Sequence, residues 1–304
     1  MSDAVLITGG SSLLAVNWAA TVRARLRVTL GLHDRHVTMA GVGAVSSRLD
    51  SVDDIDRTLD AVQPAVVVHT AGLTNIEACE ADPDRAHHVN VELAANVATA
   101  CARRGVALAH IATDHLFRGD EAWLDESHPV APQNAYGRTK AEAEARVLDA
   151  HPAALVVRTN FYGWGPRYRR SFSDVIVDTL RAGEAITLFT DVMYTPILAE
   201  TLCVTVHDLL ALETNGIVHV VGDERISKYD FGLNAARQFE LDAGLIRPEV
   251  LADRPTLVRR PRDMSLSNRK ACRLLGRQLG GVDQHLSRLR QLEQPGLRQE
   301  LQDI

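Results

Sequence analysis

The chain has 304 residues, a length that suits a nucleotide-binding core with a smaller lobe better than two independent domains. It is 46% hydrophobic and 24% charged, too rich in core formers for disorder, and its net charge of −6 argues against nucleic acid or an anionic membrane as the main partner. Four scattered cysteines without a CxxC pair fit a reducing compartment and no protein metal site, no apolar run reaches the length of a membrane span, and the first residues read as a strand rather than a signal peptide. The expectation is a soluble, cytoplasmic protein.

In chain order, β-branched runs predict strands at Ala4–Thr8, Val28–Leu32, Ala65–His69, Val106–Ala112 and Ala154–Thr159. Helical spacing runs through Trp18, Val22 and Leu26, from about Asp84 to Arg104 with Gly105 as its stop, and from Asn134 to Ala150. Strands alternating with helices of this length predict a doubly wound, Rossmann-like α/β fold with a parallel sheet. Beyond residue 165 the rhythm loosens. Helices are expected near 171–182, 197–212 and 228–240, short strands at 186–189 and 217–221, and a terminal helix with a frayed tail over 282–304. The division expected is 1–165 for the dinucleotide and 166–304 mainly for a substrate lobe, with some elements returning to the core.

The turn after the first strand reads Thr8, Gly9, Gly10, Ser11, Ser12, Leu13, Leu14, Ala15. A dinucleotide turn of this kind wants glycine at 9, 12 and 15, for the tight turn, the approach of pyrophosphate and the packing of helix on strand. Only Gly9 keeps it. Ser12 stands where phosphate oxygens come closest, although the helix start still offers free N–H groups and a positive dipole end. A strand-to-helix turn without a ligand is the alternative at this segment.

Tyr136 and Lys140 lie four residues apart, one above the other on a helix face. An ammonium beside a phenol favours the phenolate, so the spacing predicts a lowered tyrosine pKa and acid–base use near neutral pH. YxxxK alone also occurs on solvated helix faces. Here Thr113 and Asp114 follow a strand directly, at the carboxyl end of the sheet where such folds place their chemistry.

With these residues assembled, the sequence resembles the extended short-chain dehydrogenase/reductase family, in its dTDP-4-dehydrorhamnose reductase-like branch. The likeness rests on His69–Asn75, Ala112–Phe117, Pro132–Lys140, Arg158–Gly163, Thr195-Pro196, Ser227-Lys228-Tyr229 and Arg260–Asp263 with Leu266, in that order. It implies reduction of a nucleotide-linked 4-keto-6-deoxysugar by NAD(P)H. Tyr136 would be the general acid, Lys140 would hold the nicotinamide ribose, and Thr113 would bind the carbonyl oxygen. Asp114 and Phe161 would line the sugar pocket, Asp50 and Ser51 would approach the adenine, and Ala71, Gly72 and Thr74 the middle of the cofactor. Ser12, Ala15, His69 and Phe161 depart from the family pattern, which puts cofactor affinity and sugar packing in question.

At the end of the second strand, His33, Arg35 and His36 surround Asp34. An acid there holds a ribose 2′-hydroxyl and arginine accepts a 2′-phosphate. Three basic residues against one acid favour NADP(H) over NAD(H), with a solvated loop as the alternative. Two arginine clusters, Arg167, Arg169 and Arg170, and Arg259, Arg260 and Arg262, suit a nucleotide diphosphate; one of them is expected to grip it, with Arg260 as the substrate-binding candidate and a solvated charged face as the alternative. The sequence does not support a Mg²⁺ site, although relatives' use of the ion leaves one open, and a homodimer is the commonest closed assembly. Two other readings of the same fold stand: a regulatory subunit that binds nucleotide with little turnover, and an epimerase or dehydratase holding NAD⁺.

Overall fold

The computed structural model describes residues 4–294 and 296–304. Strand β1 (Ala4–Thr8) is buried at all five positions, the pattern of a strand covered on both faces. It is joined by β2 (Arg27–Leu32), β3 (Gly43–Ser46), β4 (Val66–His69), β5 (Ala107–Ile111), β6 (Leu155–Arg158) and β7 (Gly216–His219). They form one seven-stranded sheet in the order β7-β6-β5-β4-β1-β2-β3, every pairing parallel. Chain progression reverses between β1 and β4, and the crevice beyond their carboxyl ends is where open α/β sheets bind ligands.

Alternation along β1 builds both layers. Val5 and Ile7 join a core with Trp18, Leu202 and Val206, whereas Leu6 packs with Ile55, Leu59 and Val97 on the opposite face. Helix α1 (Leu13–Val22) covers the first face; α2 (Val52–Val62), α3 (Leu93–Arg104) and α4 (Ala135–Ala150) cover the second. Trimming a fully buried side chain such as Leu155 to alanine costs about 2–5 kcal/mol. The expected helix from Asp84 to Arg104 is Pro83–His87, a π turn at His88–Glu92, and α3, stopped by Gly105 at φ 62°.

The later half supplies α5 (Phe172–Arg181), α6 (Ala199–Ala211), α7 (Lys228–Phe239), α8 (Val282–Glu293) and α9 (Leu297–Gln302). The strand expected at 217–221 is β7, which extends the central sheet beside β6, while Ile186–Phe189 pairs in parallel with Ile246–Glu249 outside it. Elements not expected from the sequence include β3 and α2, the strand Ile246–Glu249, and the short helices Ile76–Ala81 and Arg269–Leu275. The frayed tail is also corrected. Leu301 is fully buried, and the guanidinium of Arg298 binds Asp178 and Glu293 and lies 4.3 Å from the Trp164 ring centroid, so α9 is docked.

Candidate active site

Gly9 takes φ 71°, and a Cβ there would stand 2.6 Å from the Ala71 amide nitrogen, so glycine alone lets the phosphate turn lie against the loop after β4. Ser12 is the N-cap of α1. Its Oγ accepts from the Ala15 amide at 3.1 Å and lies 2.9 Å from Thr70 Oγ1, which itself donates to the Thr8 carbonyl at 2.8 Å. The serine hydroxyl therefore donates to Thr70 and is turned toward its own helix. The amides of Leu13 and Leu14 begin α1 without intrahelical acceptors, at the positive end of the helix.

This turn forms one wall of a cavity of about 270 Å³, through Ser12, Leu13 and Leu14. Ala71, Gly72 and Thr74 line it next, and Thr113, Asp114, Tyr136, Lys140 and Phe161 line the rest. Asn134 caps α4, its side chain accepting from the Gly137 amide at 2.9 Å, so the helix starts just before Tyr136 and points that side chain and Lys140 at the same slot. The Asp114 carboxylate accepts from Thr113 Oγ1 at 3.3 Å and from Asn160 Nδ2 at 2.6 Å. The His115 ring stands edge-on to Tyr136, centroids 5.7 Å apart.

The electrostatics correct one expectation. Burial pushes the Tyr136 phenol above its ordinary range, outweighing the Thr113 hydroxyl that pulls it down, and nearby Asp114 adds to the rise. Lys140 is not among the groups that dominate this shift; its ammonium donates to the Ile111 carbonyl at 2.7 Å, and burial brings that amine down to about 8. Tyr136 is thus held protonated, the form a general acid needs. His69 is structural: its Nδ1 lies 2.7 Å from Thr8 Oγ1, its ring stacks on His110, and burial pulls it down to about 3.

The other expected residues lie outside that cavity. His33 is exposed beside Asp34 at 3.1 Å, and the Arg35 guanidinium lies 4.0 Å from the Tyr168 ring centroid. Asp50 is exposed near His88, at 3.5 Å, and Ser51 caps α2 by accepting from Asp54. Arg260 bonds Glu77 and lines two neighbouring cavities, of about 240 and 470 Å³; the first shares His115 with the cavity of Tyr136 and Lys140. Among the described residues no group of three or more acidic, histidine or cysteine side chains could hold a metal ion, and no helix is long and apolar enough to cross a membrane.

The family model described as the RmlD substrate binding domain matches residues 3–292. The chain belongs to that family. It is 29% identical over 261 residues to a probable low-salt glycan biosynthesis reductase, Agl14, of Haloferax volcanii, covering 84% of this chain and 87% of that one. The dTDP-4-dehydrorhamnose reductase of Mycolicibacterium smegmatis is 29% identical, covering 89% and 80%. The methionine adenosyltransferase 2 subunit beta of Pongo abelii is 27% identical, covering 86% and 79%. In fold, the chain superposes on a Bacillus anthracis dTDP-4-dehydrorhamnose reductase in complex with NADP, with TM-score 0.83, 23% identity and coverage of 95% and 99%.

Against this RmlD frame, three polar residues escaped the sequence reading as site components. Asn90, in the π turn, accepts from the Leu73 amide at 2.7 Å and donates to the Leu73 carbonyl at 3.1 Å and Thr139 Oγ1 at 3.0 Å, tying the loop after β4 to α4. Asn160 grips Asp114. The Lys228 ammonium lies 3.4 Å from the Tyr194 ring centroid and 4.7 Å from that of Phe172, and burial brings it down to about 8 against the pull of Asp114. The signals that could have found them were the stretches Arg158–Gly163 and Ser227-Lys228-Tyr229, which hold Asn160 and Lys228, and for Asn90 an amide inside an apolar helical stripe.

Proposed function

We propose that this chain is an NAD(P)H-dependent reductase of a nucleotide-linked 4-keto-6-deoxysugar, with NADP(H) the favoured cofactor. Residues 1–165 would carry the dinucleotide, and most of 166–304 the substrate lobe. One observation carries the reading: a single cavity runs from the phosphate turn at Ser12–Leu14 to Thr113, Tyr136 and Lys140. A dinucleotide suits these residues, since the Gly9 cradle admits no side chain and the Leu13 and Leu14 amides open on it. Named reductases among the relatives support the activity and the substrate class.

Bound there, a reduced nicotinamide supplies hydride. Lys140 would hold the ribose hydroxyls, its aliphatic stem fixed by α4. Thr113 and Tyr136 would both donate to the substrate carbonyl oxygen, and as that oxygen gains negative charge Tyr136 would release its proton to it. Asp114, fixed by Asn160, and Phe161 would orient the sugar ring, and Arg260 would meet the diphosphate.

Replacing Tyr136 by phenylalanine removes the proton and little volume. NADPH oxidation in the presence of a dTDP-4-keto-6-deoxysugar should fall by roughly 10²–10⁴, while cofactor affinity measured by fluorescence titration stays within about twofold. Full activity in that variant overturns the assignment. The methionine adenosyltransferase subunit among the relatives favours a second reading, a nucleotide-binding subunit without turnover. That reading predicts saturable dinucleotide binding with no oxidation of NADPH by any keto sugar.

A further inference from the structure

We propose that the segment 165–170, from the later half of the chain, is a strap that reads the phosphates of the cofactor: Tyr168 positions Arg35 for the 2′-phosphate, and Arg169 takes the diphosphate. The inference rests on the dinucleotide reading above and assigns it a segment whose Tyr168 lies 157 positions from Ser11 of the phosphate turn.

The base of the strap is fixed. Asp174 Oδ2 accepts from both the Gly165 and Ser171 amides, at 2.8 and 2.9 Å, and Ser171 and Ser173 donate to the Gly163 carbonyl at 2.5 and 2.8 Å. The Arg169 amide closes a tight turn on the Pro166 carbonyl at 2.9 Å, and a Cβ on Gly165 would stand 2.4 Å from the Arg169 carbonyl oxygen. Between these pins the strap crosses the slot and touches the far side twice. Tyr168 donates to the Ser11 carbonyl at 3.0 Å, beside the phosphate turn, and Arg169 donates to Thr74 Oγ1 at 2.6 Å, on the loop after β4.

Charge singles out two cations. Arg167 pairs with Asp303 at 3.5 Å and Arg170 with Asp178 at 3.1 Å, but among the described residues no carboxylate pairs with Arg169 or with Arg35. Arg169 lines the catalytic cavity, and Arg35 follows β2, where such folds read the ribose 2′ position. Its guanidinium carbon lies over the Tyr168 ring, 4.0 Å from the centroid, a cation–π contact that holds the group in place while leaving its N–H groups to an anion. Two guanidinium groups without a carboxylate partner, Arg169 lining the slot with its helix-start amides and Arg35 outside it against Tyr168, match a ligand that carries phosphates at both places.

The test is titration of the full chain with NADPH, NADH, 2′,5′-ADP and 5′-ADP, by fluorescence and calorimetry, with thermal denaturation to verify that each variant folds. Arg35→Ala should weaken NADPH and 2′,5′-ADP by roughly tenfold and leave NADH and 5′-ADP within about twofold. Tyr168→Ala should shift the NADPH-to-NADH ratio in the same direction by roughly threefold, and Tyr168→Phe should keep most of that ratio. Arg169→Ala should weaken NADPH and NADH by the same factor, roughly tenfold. Equal losses for both cofactors in Arg35→Ala and Tyr168→Ala, or unchanged binding in Arg169→Ala, would overturn the strap while leaving the reductase reading intact. A wild-type chain that binds none of the four ligands sinks both.

Discussion

The proposed reaction centre and the proposed cofactor rim present opposite electrostatic settings. Thr113, Asp114, Tyr136 and Lys140 are buried, and each polar end has a partner within the protein: Ile111 for the lysine, Asn160 for the aspartate, Thr113 for the phenol. Arg35 and Arg169 on the rim face solvent and contact only an aromatic ring and a hydroxyl. Burial sets protonation at the centre, whereas the charge of Arg35 and Arg169 is open to screening by solvent and salt. The first should respond to chemistry at single atoms and the second to ionic strength.

The largest break in that contrast should come from the centre. Lys140→Met leaves α4 intact but removes the ammonium, so turnover should fall by at least about tenfold, with NADPH affinity also reduced; a variant with unchanged steady-state kinetics would separate the lysine from catalysis. Next is the support of the strap. Arg298→Ala strips the buried Asp174 of its nearby cation and removes the contact with Trp164, and should cost roughly 2–3 kcal/mol in urea unfolding.

Acid should act on the interior rather than on the rim. Burial holds His69 and His219 down to about 3 and His207 to about 4, below the ordinary 6.5. Between those values the unfolded chain binds more protons than the folded one, so stability is complete above about pH 6.5 and declines as pH falls toward 3. Urea midpoints across that range check it, and a flat profile would contradict neutral buried imidazoles. The smallest effect should be at Ser12. Ser12→Gly replaces one acceptable N-cap by another, costs a few tenths of a kcal/mol, and leaves NADPH affinity within about twofold; a marked tightening would mean that the serine obstructs the cradle after all. Over the same titrations, raising salt from about 50 to 500 mM should weaken NADPH several-fold through the rim.

What the sequence made legible follows from where the causes lie. Strand β1 and helix α4 carry their reasons locally, in a β-branched run and in Asn134 as a cap, and both stand within a residue of expectation. Helix α2 also has local reasons, Ser51 as cap with Ile55, Leu59 and Val62 at helical spacing, and was overlooked among its many aspartates. Strand β3 is short and largely exposed at the sheet edge, with almost no hydrophobic signature. The Tyr136 phenol was misjudged because four-residue spacing says nothing about the Ile111 carbonyl that takes the ammonium or about the depth of the ring. The docked tail and the strap depend on partners more than 100 residues distant, Arg298 with Asp178 and Tyr168 with Ser11.

The widened turn at His88–Glu92 has a consequence for engineering. It holds one residue more than regular α-helical winding allows, and each residue advances a helix by about 100°. Deleting one position there would restore the ordinary phase and swing Asn90 off the Leu73 peptide that it now clamps on both sides. The hydrophobic stripe of α3 would survive the deletion, but buried Val91 in the turn and Ala86 before it would rotate with Asn90, so unlatching the loop after β4 from the helix of Tyr136 would also loosen the packing on that face.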